Sequence, residues 1–406
     1  DDLYLKYEAD KTIPKKTVAA QDLFGDLLKE RAETGRIYIM NLDHCNSHSS
    51  FKDKVSMSNL CQEITLPTTP IQDIHDDQGE IALCILSAVN VGGLNDLGEL
   101  ESICDLAVRA LEQIIDYQDY PVKAAEVSTK RRRSLGIGYI GLAHYLAKHG
   151  VKYSDPKAWD LVDRLSEAFQ YHLLKASNNL AKEKGKCEGF DRTKYADGQL
   201  PIDHYKKDVD KIVPHKQRMA WESLRKDIAK HGLRHSTLSA QMPSESSSVV
   251  SNETNGIEPP RALLSIKKSK KGPLKQIAPG FPKLKNDYTL LWDMPSNEGY
   301  INVVAMMQKY FDQAISGNWS YNPTHFDNNE VPLSVMAQDM LTAYKLGWKT
   351  SYYQNTYDFK GDDEDIQPAG LSAVIDTDDG EDVELPENLI STGTDIEGED
   401  CDACTI

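Results

Sequence analysis

The chain has 406 residues, 40% of them hydrophobic, and a formal net charge of −17. That length admits a large core and one to three domains. No run reaches the roughly 18 apolar residues of a membrane span, nothing resembles a signal peptide, and the acidity argues against a nucleic-acid partner, so a cytoplasmic protein is expected.

Short β-branched or apolar runs at residues 36–40, 80–89, 236–242 and 348–353 predict strands. Between them, apolar stripes at spacings of three and four predict helices. One stripe is Leu100, Ile103, Cys104, Ala107, Leu111 and Ile114. A second runs from Val162 through Phe169 to Leu180 and stops at Gly185, and a third from Leu333 to Tyr344 stops at Gly347. Residues 262–277 predict a hairpin around Lys-Lys-Gly. The rhythm is that of an α/β domain with mostly parallel strands. It dissolves after Asp358. Sixteen Asp and Glu against one Lys lie between Lys360 and Ile406, so fifteen of the seventeen net negative charges sit there. Residues 1–358 therefore predict a folded body, and residues 359–406 a flexible acidic tail.

Five constellations could carry chemistry. Within Ser58-Asn59-Leu60-Cys61-Gln62-Glu63, an extended backbone would put Asn59, Cys61 and Glu63 on one face. An amide, a thiol and a carboxylate suit binding a diol, reacting at carbon and moving a proton. The plainer reading is a loop with a buried Cys. The run from Gly79 to Ser87 reads as a buried strand, where Cys84 is a small hydrophobe or a redox thiol. In Met242-Pro243-Ser244-Glu245-Ser246-Ser247-Ser248, Ser244 is a candidate N-cap, and the hydroxyls and free N–H groups there suit either capping or phosphate. Tyr352-Tyr353 either pack on two faces of a strand or pass an electron with a proton. Cys401 and Cys404 end the acidic tail as C-x-x-C, which suits a swinging dithiol better than half a zinc site. With seven cysteines, an odd number, a secreted disulfide scaffold is excluded.

Three patterns are set aside. Gly136, Gly138 and Gly141 match the dinucleotide glycine spacing, but no βαβ unit with a placed acidic residue accompanies them. His44-Cys45 with His48 lacks a second cluster, so no metal is expected. The lysines around Lys268 read as a solvated hairpin tip.

Together and in this order, these stretches resemble the large subunit of class I ribonucleotide reductase. Carrying the resemblance are Asp43-His44-Cys45-Asn46, Ser58-Asn59-Leu60-Cys61, Gly79 to Ser87, Leu135-Gly136-Ile137-Gly138 and Met242-Pro243-Ser244-Glu245. Asn255-Gly256-Ile257-Glu258-Pro259-Pro260, Tyr352-Tyr353-Gln354-Asn355 and the terminal cysteines complete it. The resemblance implies the C-terminal part of a ten-stranded α/β barrel with a finger loop through its centre. It implies that Cys61 is the radical cysteine, Glu63 the general base, Asn59 a sugar ligand, and Cys84 one of two reducing cysteines. It further implies that Ser244, Glu245, Ser246 and Ser247 hold the substrate's diphosphate, and that Tyr352 and Tyr353 relay the radical. Cys401 and Cys404 would re-reduce the site and be reduced by thioredoxin or glutaredoxin. No cofactor is expected on the chain itself. The radical would come from a metal-containing small subunit, and the substrate would be a ribonucleoside diphosphate.

The family's large subunit is nearly twice as long, and the partner of Cys84 lies in its N-terminal part. The expectation is a fragment or split-gene product, completed by a separate N-terminal chain. The tail pair is closer than is usual in the family, and Ser246 stands where Thr is common. A non-catalytic assembly subunit and a nicotinamide dehydrogenase are the competing readings.

Overall fold

A computed structural model describes residues 2–269 and 272–357, apart from the side chains of residues 266–275. The expected segment 359–406, with Cys401 and Cys404, lies outside the described residues, as do Lys270 and Lys271.

Each long helix buries the face that its apolar spacing marks. The Leu100–Tyr117 helix buries Leu100, Cys104, Val108, Leu111 and Ile115. The Pro156–Lys184 helix opens where the Asp155 carboxylate accepts the Lys157 N–H, and it closes at Gly185, whose φ is 85°. A residue without Cβ takes that φ at least cost. This helix packs on the Leu100–Tyr117 and Glu298–Gln308 helices. The third stripe forms the Leu333–Lys345 helix.

From Ile85 to residue 316, parallel segments lie side by side in chain order. Ile85–Asn90 pairs in parallel with Leu135–Ile140, after a crossover through the Leu100–Tyr117 and Lys123–Arg132 helices. Residues 237–241 come next: the N–H groups of Leu135 and Ile137 donate to the carbonyls of Thr237 and Leu238. Beyond them run residues 313–316, where Gln313 N–H donates to Ser239 and Gln241 N–H to Ala314. Trp319–Tyr321 then pairs in parallel with Gln354–Thr356, and Ile39–Met40 runs antiparallel to Thr350–Ser351. Parallel strands, each beside its predecessor, are wound as in an α/β barrel; a doubly wound sheet reverses its order midway. The expected hairpin is present as Leu264–Ser269 against Gly272–Ile277.

Three expectations need correction. The strand expected over residues 236–242 is present only as single bridges at Ser239 and Gln241, because its pairing on each side is confined to one residue. The strand expected over residues 80–89 begins only at Ile85, so Cys84 precedes it and is half-buried. The strands expected at 36–40 and 348–353 shrink to Ile39–Met40 and Thr350–Ser351, because their flanks turn to meet other segments.

The glycine pattern has a packing cause. Every residue of Leu135–Ile140 is buried. A Cβ on Gly136 would stand 2.7 Å from Leu86 Cδ2 and 2.8 Å from Cys84 Sγ. On Gly138 it would stand 2.6 Å from the Ala240 carbonyl oxygen. Both glycines therefore let strands approach closely. Gly138→Ala is expected to cost about 1–3 kcal/mol in urea unfolding, because the contact is with backbone. Gly25→Ala, in open space within the Ala20–Thr34 helix, should instead stabilise by about 0.5–1 kcal/mol.

Candidate active site

Cys61 lies on a loop that is turned, not extended. Gln62 has φ 68°, and its N–H donates to the Asn59 carbonyl at 3.2 Å. The alternation argument for Asn59, Cys61 and Glu63 therefore fails as geometry, although the turn still gathers the three. Asn59 Oδ1 accepts the Ile64 N–H at 3.1 Å, and Ser58 Oγ donates to the Ile64 carbonyl at 2.8 Å, closing the loop on itself.

The 313–316 strand fixes this loop from the side. Ala314 N–H donates to the Glu63 carbonyl at 3.0 Å, and Thr65 N–H to Gln313 Oε1 at 3.2 Å. Ser316 Oγ donates to the Cys61 carbonyl and stands 3.3 Å from Glu63 Oε2. A hydroxyl has one hydrogen. That hydrogen can go to the Cys61 carbonyl or to the Glu63 carboxylate, so the hydroxyl bridges the two. Burial raises the Glu63 pKa, against hydrogen bonds from Asn59, its own backbone and Ser316. Its carboxyl therefore holds a proton more readily than an exposed glutamate does.

One tyrosine reaches the thiol, and two more pack against its ring. The Tyr352 hydroxyl donates to Cys61 Sγ at 3.7 Å. The Tyr352 and Tyr353 rings are 4.3 Å apart, and Tyr38 lies 4.8 Å from the first and 5.2 Å from the second. Burial raises the Tyr352 pKa, and the contacts with Cys61 and Tyr353 add to it. Burial also lifts Tyr38 to about 12, helped by its bond with Tyr353. Arg31, fully buried, donates to the carbonyls of Ile37 and Tyr353 and so fastens the Tyr38 segment to the Tyr353 strand.

Cys84 sits beside this cluster. Burial pushes its thiol up to about 12; an N–H from Gln313 at 3.4 Å pulls down, and the Glu63 charge pushes up. Lys349 is fully buried and donates to the carbonyls of Phe311, Asp312 and Gln313 at 3.2, 2.7 and 3.0 Å. It thereby pins residues 311–313 to the segment that leads into the Thr350–Ser351 strand and Tyr352.

The hydroxyl loop is arranged differently from expectation. Ser244 precedes the Glu245–Val250 helix but does not cap it; its hydroxyl donates to the Met242 carbonyl at 3.0 Å. Glu245, Ser246 and Ser247 are exposed. The nearby Glu258 accepts from Asn318 Nδ2 at 2.5 Å, while Asn318 Oδ1 accepts the Tyr353 N–H at 3.2 Å. Burial lifts Glu258 to about 7, against Asn318 and Arg261.

The set-aside metal cluster binds backbone instead: His44 Nδ1 and His48 Nε2 reach the Trp348 and Gln308 carbonyls at 2.7 and 2.8 Å. Among the described residues, no group of three or more His, Cys, Asp or Glu could hold a metal, and no helix is long and apolar enough to cross a membrane. Tyr38, Arg31, Gln313, Ser316, Asn318 and Lys349 carried no motif. Only the β-branched setting of Tyr38 hinted at a strand beside the site.

The family model for "Ribonucleotide reductase, barrel domain" matches residues 1–354. The chain is 57% identical over 361 residues to the ribonucleoside-diphosphate reductase subunit alpha of Haemophilus influenzae, covering 88% of this chain and 48% of that protein. It is 55% identical over 366 residues to the ribonucleoside-diphosphate reductase 1 subunit alpha of Escherichia coli, with 89% and 48% covered. The corresponding subunit of phage T4 is 42% identical over 370 residues, with 89% and 48% covered. The chain thus spans about half the length of the curated relatives it matches. With its parallel strands in chain order and a family match over most of its length, the chain belongs to the ribonucleotide reductase barrel-domain family.

Proposed function

We propose that the chain is a catalytic portion of a class I ribonucleoside-diphosphate reductase. The observation that carries this reading is the contact of Tyr352 with Cys61 at 3.7 Å, backed by Tyr353 at 4.3 Å between rings. A hydrogen atom can leave Cys61 as an electron and a proton taken up along this pair. The resulting thiyl radical removes the 3′-hydrogen of a ribonucleoside diphosphate. Glu63 takes the 3′-hydroxyl proton, and Asn59 hydrogen-bonds the sugar. The 2′-hydroxyl leaves as water, Cys84 and a second thiol supply the hydrogen and electrons, and they end as a disulfide. The 3′-hydrogen returns from Cys61.

Glu245, Ser246 and Ser247 present hydroxyls and N–H groups for the diphosphate, with Ser244 holding the turn beneath. The second thiol belongs to the half of the relatives' length that this chain does not span, on the same polypeptide or another. A metal-containing small subunit supplies the radical. Cys401 and Cys404 shuttle electrons from thioredoxin or glutaredoxin. The test is reconstitution. The chain is combined with the missing half, a radical-charged small subunit, CDP and a dithiol reductant. Formation of deoxy-CDP, resolved by chromatography, is the expected result. None above a small-subunit-only control refutes the reading.

A further inference from the structure

We propose that Gln313 is a positioning residue that holds the Cys84 sulfur as a hydrogen-bond acceptor and ties it to the loop carrying Cys61. The proposal takes its catalytic meaning from the reductase reading, but the contact itself does not depend on it.

The orientation of the Gln313 amide follows from its partners. The side chain is fully buried. Thr65 N–H can only donate, so the group 3.2 Å away must be Oε1. The NH₂ group then faces the other way, with two hydrogens for two acceptors. One is the Leu135 carbonyl at 3.1 Å, the other Cys84 Sγ at 3.4 Å. A flipped amide would leave Thr65 N–H and the Leu135 carbonyl facing groups they cannot bond. The backbone beneath is fixed as well. Gln313 N–H donates to Ser239, and its carbonyl accepts from Lys349 Nζ at 3.0 Å and Gln308 Nε2 at 2.9 Å.

An amide N–H aimed at sulfur favours the thiolate over the thiol. The other influences on Cys84 are unfavourable to charge: its burial and the carboxylate of Glu63 on the neighbouring loop. Thiolate is the form that exchanges with disulfides. Gln313 therefore sets how readily Cys84 reacts. It also links that thiol to Thr65, four residues from Cys61. No sequence motif marks it, because its three side-chain partners lie in three separate segments.

The full 406-residue chain provides the test without any turnover assay. Wild type, Gln313→Met and Gln313→Glu are pulsed with iodoacetamide across an alkaline pH series. The thiolate displaces iodide, and peptide mass spectrometry reads the Cys84 adduct. Cys104 and Cys187, at 0% and 2% exposure, report the fold in the same sample. Gln313→Met is expected to slow Cys84 alkylation ~10-fold at each pH of the series. Gln313→Glu keeps the shape and the acceptor for Thr65, loses both donors, and should slow the reaction at least as much. An unchanged Cys84 profile in either variant, with Cys104 and Cys187 still protected, overturns the proposal. Should the Met variant expose the core cysteines, the isosteric Glu variant decides. A missing deoxy-CDP product with these slowed rates intact would instead fault the reductase reading alone.

Discussion

Cys61→Ser abolishes deoxynucleotide formation in the reconstituted enzyme and leaves the fold in place. The loop around residue 61 is held through other atoms: the Asn59 side chain, the Ser58 hydroxyl, and the Ser316 hydroxyl on the Cys61 carbonyl. The sulfur itself contributes the contact with Tyr352. Serine fits the same space but has a much stronger O–H bond, so removing its hydrogen atom is steeply uphill. Turnover should fall at least about 1,000-fold, equivalent to roughly 4 kcal/mol of barrier. Thermal unfolding should be unchanged within about 0.5 kcal/mol. Turnover at the wild-type rate would reassign the chain to an assembly role.

Glu112→Ala should be among the most destabilising single changes in the body. Glu112 is fully buried in the Leu100–Tyr117 helix. Its carboxylate accepts from Arg133 Nε and Arg234 Nε, both at 2.8 Å, and from His235 Nε2 at 3.0 Å. Removing it leaves the His235 and Arg234 N–H groups without this acceptor and Arg133 with the Asp116 carboxylate alone, at a cost of about 2–4 kcal/mol. Urea midpoints with an unchanged m-value would measure this.

The same cluster sets a pH dependence. Burial would raise the Glu112 pKa, but bonds from His235, Arg133 and Arg234 prevail and bring it to about 2 from 4.5. A depressed carboxylate stabilises above its unfolded pKa, and that stability fades as pH falls from 4.5 toward 2. The loss over this window is on the order of 3 kcal/mol. Burial also lowers the pKa of His235, so the unfolded chain takes up its proton first on acidification. Both groups act in one direction. Wild-type stability should decline on acidification below the ordinary histidine range, and Glu112→Gln should flatten the acid limb.

The helices were legible because they are local. Apolar spacing, Asp155 before Pro156 and the terminal glycines are all written within a few turns. The site was legible as residue types and not as geometry. Alternation around Cys61 suggested an extended strand, yet the positive φ at Gln62 folds it into a turn. Cys84 was expected inside a strand but precedes it, because pairing with Leu135–Ile140 starts at Ile85. The glycines at 136 and 138 could be dismissed as a cofactor motif, but their cause lies across the sheet at Cys84, Leu86 and Ala240. Ser316, Gln313 and Lys349 are ordinary polar residues in sequence. Ser316 meets its partner at Cys61 across 255 positions, and Gln313 meets Thr65 across 248.

On the proposed reading, Lys349 makes the spacing between Tyr352 and Cys61 a matter of rigidity. Its Nζ lies within hydrogen-bond distance of three successive carbonyls. The segment around Tyr352 and residues 313–316, which grip the Cys61 loop, are thereby tied together through one side chain. Electron tunnelling weakens steeply with each added ångström. On that reading, Lys349 thus works as a ruler, keeping the gap between the Tyr352 hydroxyl and the Cys61 thiol constant.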